Sequence, residues 1–216
     1  MKSLILADVG RGSTMRLGLA AAVALALALA GCTPSYVTGN DSPVNLIIAA
    51  INGGAPLDSD VRDGSNTTSG PGGAPQTFVC PDLVKVAVEV RNKNPNAPMP
   101  TVPAAVLLSS YEVRYFRTDG RGVEGVDVPY RITGNLSLSV DVAASGTTTV
   151  PIEVVRRQAK LEPPLSTTTQ SYVLTAMAQV TLFGTTVAGQ NVSATATFQI
   201  DFADFGDVLT ACPTVS

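Results

Sequence analysis

From Val84 to Val90 every second residue is valine, with Lys85 and Glu89 among the positions between. A helix would scatter those four side chains around its surface, whereas a strand puts them on one face. The run predicts a strand over 78–91 that buries one side and wets the other. The same two-residue period recurs at Tyr111, Val113 and Tyr115, within a strand expected over 106–118, and at Leu136, Leu138, Val140 and Val142. It returns at Val150, Ile152 and Val154. The two longest stripes are Tyr172, Leu174, Ala176, Ala178, Val180 and Leu182, then Val192, Ala194, Ala196, Phe198, Ile200 and Phe202. Gly184 and Gly189 lie between these last two stripes, which predicts a hairpin with a turn or bulge.

Breakers fall between the stripes. Asn92 to Pro98, Asp119-Gly120-Arg121-Gly122 and Ser145-Gly146 supply turn formers. Pro151 sits inside a stripe and cannot donate to a ladder, so that strand is expected at an edge or a bulge. Pro163-Pro164 makes a continuous helix over 156–168 unlikely to form. Upstream, Val44 to Ile51 fits either a buried strand or the start of a short helix, and 52–76 reads as a long Gly/Pro/Asp/Ser/Thr loop. The main folding unit is therefore placed at 77–216.

Six or seven strands without a long amphipathic helix favour an all-β, antiparallel two-sheet body. The pattern from Phe78 to Phe202 resembles an immunoglobulin-like or fibronectin-type β-sandwich of about seven strands, with Tyr115, Leu138, Val140, Val180 and Phe198 as core candidates. It departs from antibody-type domains in having no Trp. The segment VEVRNKNPNAP also resembles the strand and NPN turn of late-embryogenesis-abundant type 2 domains.

Ahead of this body, Met15-Arg16 precedes an apolar run from Leu17 to Ala30 and then Gly31-Cys32. Fourteen residues are too few to span a bilayer, which takes about 20, and fit the hydrophobic region of a cleaved signal segment. The junction Leu29-Ala30-Gly31-Cys32 resembles the lipobox of bacterial lipoprotein precursors. That resemblance implies a signal peptide over 1–31, with Met15 an alternative start, and a diacylglyceryl (palmitate-type) anchor on Cys32. It also implies a tether within 32–76 and a place in the cell envelope. Thr33 lacks the aspartate that retains some such proteins at the inner membrane, which points to the outer membrane, facing the periplasm or the cell surface.

The chain contains no His, which removes Ser-His-Asp and Cys-His catalysis and His-based metal sites. The 1–31 segment holds Lys2, Arg11, Arg16 and Asp8, so cleavage leaves 16 acidic and 11 basic residues of the 17 and 14 present. Arg156-Arg157-Lys160 is the one local basic cluster, expected in an exposed loop, and nucleic acid is not an expected partner. With Cys32 given to lipid, Cys80 and Cys212 remain to pair in an oxidising compartment, stapling the two ends of the body. Asp58, Asp60 and Asp63, then Asp201, Asp204 and Asp207, gather near turns, but neither spacing matches a calcium-binding helix-loop-helix. No catalytic residue, metal or cofactor is expected. The expected function is a lipid-anchored, non-catalytic structural or protein-interaction module whose partners are the membrane, through Cys32, and an envelope protein. The alternative is a lipid-anchored binding protein for a small or hydrophobic ligand.

Overall fold

The computed structural model describes residues 42–62, 65–66, 76–77, 79–94, 96, 105–141, 146–168, 172–205 and 212. The signal segment, Cys32, residues 33–41, Asp63, residues 97–104 and Asp207 lie outside the described residues. Ten strands are described: β1 (Val44–Ile51), β2 (Leu57–Asp60), β3 (Ser65–Asn66), β4 (Gln76–Thr77), β5 (Asp82–Asn92), β6 (Ala105–Phe116), β7 (Ile132–Asp141), β8 (Thr148–Val155), β9 (Leu174–Thr186) and β10 (Asn191–Ala203). One short helix, α1 (Arg157–Leu161), follows β8.

The fold is all-β. One sheet has the order β1-β5-β8 and the other β2-β10-β9-β6-β7, with β3 and β4 forming a separate pair. Every pairing is antiparallel except that of β2 with β10. The valine alternation explains the inner face of β5: Val84, Val86, Val88 and Val90 are buried, while Lys85 and Arg91 are exposed. They share one core with Val106, Leu108, Val113, Ala176, Val180, Leu182, Ile200 and Phe202 from the larger sheet. Of the five core candidates, Tyr115, Val140, Val180 and Phe198 are buried, and Leu138 is half-buried against the same cluster.

Val44–Ile51 resolves as a strand, paired with β5 from Val44↔Asn92 to Ile51↔Val86. The chain then turns through a 3-10 segment at Asn52–Gly54, where Asn52, Gly53 and Gly54 all take positive φ, and joins the other sheet as β2. Both sheets thus take in residues upstream of 77. The sequence hid this because the eight residues of β1, apolar except for Asn45, are ambiguous in period and β2, Leu57-Asp58-Ser59-Asp60, has almost no apolar content.

Pro151 lies opposite Lys85 on β8, a sheet-edge strand, as its missing N–H requires. After β8, α1 and a 3-10 turn at Leu165–Thr167 flank Pro163-Pro164, so the prolines limit the helix to five residues without abolishing it.

The strands define two ends. At one, β1 begins, β5 finishes and β9 turns into β10; Ser42 lies here, next to Val44. At the other, β5 begins, β8 and β6 finish, and the 117–131 loop and α1 emerge. Twelve residues of β6 run between them, about 40 Å at the usual strand rise.

Candidate functional site

The polar chemistry of the body concentrates at the second end, where the sheets are tied together. Lys160 on α1 is buried, and its Nζ sits 2.9 Å from Oδ1 of Asp82, the first residue of β5. Ser59 on β2, fully buried, donates to Oδ2 of the same carboxylate at 2.5 Å. One aspartate of the smaller sheet therefore receives a serine from the larger sheet and a lysine from the crossover between them. The sequence expectation of an exposed Arg156-Arg157-Lys160 cluster is corrected here: Arg156 and Arg157 are exposed, but the helical turn swings Lys160 inward onto Asp82. Its long aliphatic stem fits an interior position only because a carboxylate meets the ammonium.

Two tyrosines make a second tie. Tyr111 and Tyr115, on the inner face of β6, reach the edge strand β8: the Tyr111 hydroxyl accepts from the Glu153 N–H at 3.3 Å, and the Tyr115 hydroxyl donates to the Val154 carbonyl. The β5–β8 register jumps from Leu83↔Glu153 to Asp82↔Val155, leaving Val154 as the extra residue of a bulge. A bulge leaves a backbone group without its ladder partner, and Tyr115 supplies one. Burial pushes both phenols above their ordinary range, Tyr115 much further than Tyr111.

Cys80 and Cys212 form a disulfide across a sequence separation of 132 residues, with Cα atoms 5.3 Å apart. Cys80 is buried just ahead of β5, so the staple holds the C-terminal region to the same end as Lys160 and Asp82.

The two aspartate groups, far apart in sequence, meet in the parallel β2–β10 pair, where Asp58 is in register with Asp201. Their oxygens already serve the protein: Asp201 accepts from Thr175 at 2.6 Å and Gln199 at 2.7 Å, and Asp60 accepts from the Arg62 N–H at 3.0 Å and the Phe205 N–H at 3.4 Å. Among the described residues no group of three or more Cys, Asp or Glu is arranged to hold a metal ion. No helix among them is long and apolar enough to cross a membrane.

A groove of about 340 Å³ opens between β1 and β10, lined by Ile48 to Ile51, Gly54 to Pro56 and Ala196 to Gln199. It opens between the two sheets, since β1 belongs to one and β10 to the other. Its lining mixes apolar residues such as Ile48, Ile51 and Phe198 with the polar Thr197 and Gln199, and contains no charged side chain.

The 117–131 loop is held by its own hydrogen bonds. Val126, Asp127 and Val128 donate backbone N–H groups to the Val123 carbonyl, and Gly125 donates to Val128. The Asp127 carboxylate accepts from the Val123 N–H at 3.1 Å. Gly125 has φ of 77°, and the Tyr130 ring lies where a Cβ would stand. Asp119 binds Arg121 through Nε at 2.9 Å and Nη2 at 2.6 Å, and these bonds hold its carboxyl below the usual range. Arg131 pairs with Glu124 at 2.9 Å.

No family model, curated protein or solved structure matches this chain.

Proposed function

We propose that this chain is a lipid-anchored cell-envelope protein whose β body is a non-catalytic structural or protein-interaction module of immunoglobulin-like or fibronectin type. Strand order supports the fold reading. Taking β1, β5, β6, β7, β8, β9 and β10 as strands A, B, C, C′, E, F and G gives A-B-E in one sheet and C′-C-F-G in the other. The Leu29-Ala30-Gly31-Cys32 junction supports the anchor, and Thr33 after it supports an outer-membrane location.

The observation that carries the reading is the use to which the interior polar groups are put. Ser59, Asp82 and Lys160 are consumed in one inter-sheet tie, and Tyr111 and Tyr115 in another. Such bonds favour a rigid body, as a structural or interaction module requires.

The test is the intact mass of membrane-extracted protein before and after reduction and alkylation. The expected mass begins at Cys32 and carries acylated glycerol, with two thiols appearing only on reduction. An unlipidated mass overturns the anchor.

The groove between β1 and β10 favours the second reading, a binder of a small or hydrophobic ligand, since its volume is near the lower end of ligand pockets. Saturable displacement of an environment-sensitive fluorescent fatty acid, weakened by Ala196→Arg, is the outcome that reading requires.

A further inference from the structure

The 117–131 loop spends its hydrogen bonds on holding apolar side chains in water. Val123 is 59% exposed, Val126 68% and Tyr130 54%, and Tyr172, whose hydroxyl lies 3.5 Å from Arg117 Nη1, is 50% exposed. A loop needed only to join β6 to β7 gains nothing from a valine at its tip, while fixing the backbone in advance lowers the cost of docking that tip onto a partner.

Charge identifies the partner. The loop carries three cations, Arg117, Arg121 and Arg131, and three carboxylates, Asp119, Glu124 and Asp127. Within one copy they pair as Arg117 and Arg121 with Asp119, and Arg131 with Glu124. A surface with equal numbers of both signs around an apolar centre is complementary to itself, which is what a two-fold contact requires. Glu124 and Asp127, adjoining Val123 and Val126 in sequence, resist burial in lipid tails. An anionic polymer would meet as much repulsion as attraction.

We propose that the 117–131 loop, with Tyr172, is a contact surface for a second copy of this chain, Val126 lying near the two-fold axis and the arginines exchanging carboxylates between copies. The inference deepens the interaction-module reading and rests on it, though not on the lipid. Because the loop and Ser42 occupy opposite ends of the strands, the two Ser42 residues of such a pair lie at its far ends.

The test places single cysteines in the full chain, in the membranes where it is made, and treats them with a short bis-maleimide. Val126→Cys reports the proposed contact. Val187→Cys, 69% exposed in the β9–β10 turn at the other end, is the control, and the wild-type chain gives the background without an added cysteine. The expected result is a product at twice the monomer mass for Val126→Cys, background for Val187→Cys, and loss of the product when Arg121→Glu and Arg131→Glu are added. Val123→Cys serves as a second reporter if Val126→Cys does not accumulate. Equal products from both ends, no product, a product with a different protein, or a dimer that survives charge reversal each overturn the proposal. The mass measurement above tests the anchor separately.

Discussion

The hydroxyl of Tyr115, on the interior strand β6 of the larger sheet, donates to the carbonyl of Val154 on the edge strand β8 of the smaller one. The bond closes a bulge and spans the core at once, while the same ring meets Phe202 edge-on at a centroid distance of 6.5 Å. Tyr115→Phe keeps the ring and leaves the carbonyl unpaired. The expected loss is about 1 kcal/mol, the usual worth of one buried hydrogen bond, measured by urea unfolding. An unchanged midpoint would mean that water replaces the hydroxyl.

Burial raises the Tyr115 pKa above its value in the unfolded chain, so the folded state keeps a proton that the unfolded state releases. Stability is therefore independent of this group below about pH 10 and falls as pH rises beyond it. In an ultraviolet titration of tyrosinate, one step should coincide with alkaline unfolding and be missing from Tyr115→Phe. A folded protein that ionises fully near pH ~10 contradicts this assignment.

Lys160 and Asp82 should behave as a coupled pair. Asp82→Asn leaves the buried ammonium without a counter-charge and is expected to cost about 3 kcal/mol, whereas Asp82→Asn with Lys160→Met should recover most of that loss. Chemical denaturation of the two single variants and the double variant measures the coupling. Additive losses would show that the two side chains act independently.

Gly184 faces Leu108 in the β6–β9 ladder. A Cβ there would meet the Leu107 carbonyl oxygen at 2.7 Å and Val106 Cγ1 at 2.9 Å. The first neighbour is backbone of the paired strand β6, so it can yield only by distorting the ladder. Gly184→Ala is expected to destabilise by about 1–3 kcal/mol. A thermal midpoint equal to that of the wild type would mean that the strands relax apart freely.

The disulfide closes a loop long enough to matter in the unfolded state. With its cysteines separated by 132 positions in sequence, the chain-entropy estimate is roughly 5 kcal/mol. The Cys80→Ala, Cys212→Ala variant should unfold at a lower urea concentration than the oxidised wild type, and the reduced wild type should unfold near the variant. Coincident curves for all three would confine the bond to a local role.

Much of the scaffold could be read from period alone, because a strand with one wet face must alternate: β5, β9 and β10 carry that alternation plainly. The bond between Cys80 and Cys212 followed from counting thiols once Cys32 was set aside. Lys160 could not be found this way, since it stands among arginines and its partner Asp82 is 78 residues away, a pairing created by tertiary structure. Asp58 and Asp201 likewise meet only because β2 runs parallel to β10, a strand too short and too polar to stand out. The exposed valines of the 117–131 loop looked like part of a connection, because sequence does not say whether an apolar side chain in a turn points inward.

The route of the first described residues also sets how the body would carry a load. A force drawing Ser42 away along the axis of β1 acts parallel to β5, so the seven register pairs from Val44↔Asn92 to Ile51↔Val86 are strained together and cannot open one after another. Before β2 could be drawn off β10, the pull would have to straighten the turn at Asn52, Gly53 and Gly54. The protein would thus meet tension from that side with its ladder in shear, the loading direction in which paired strands resist most.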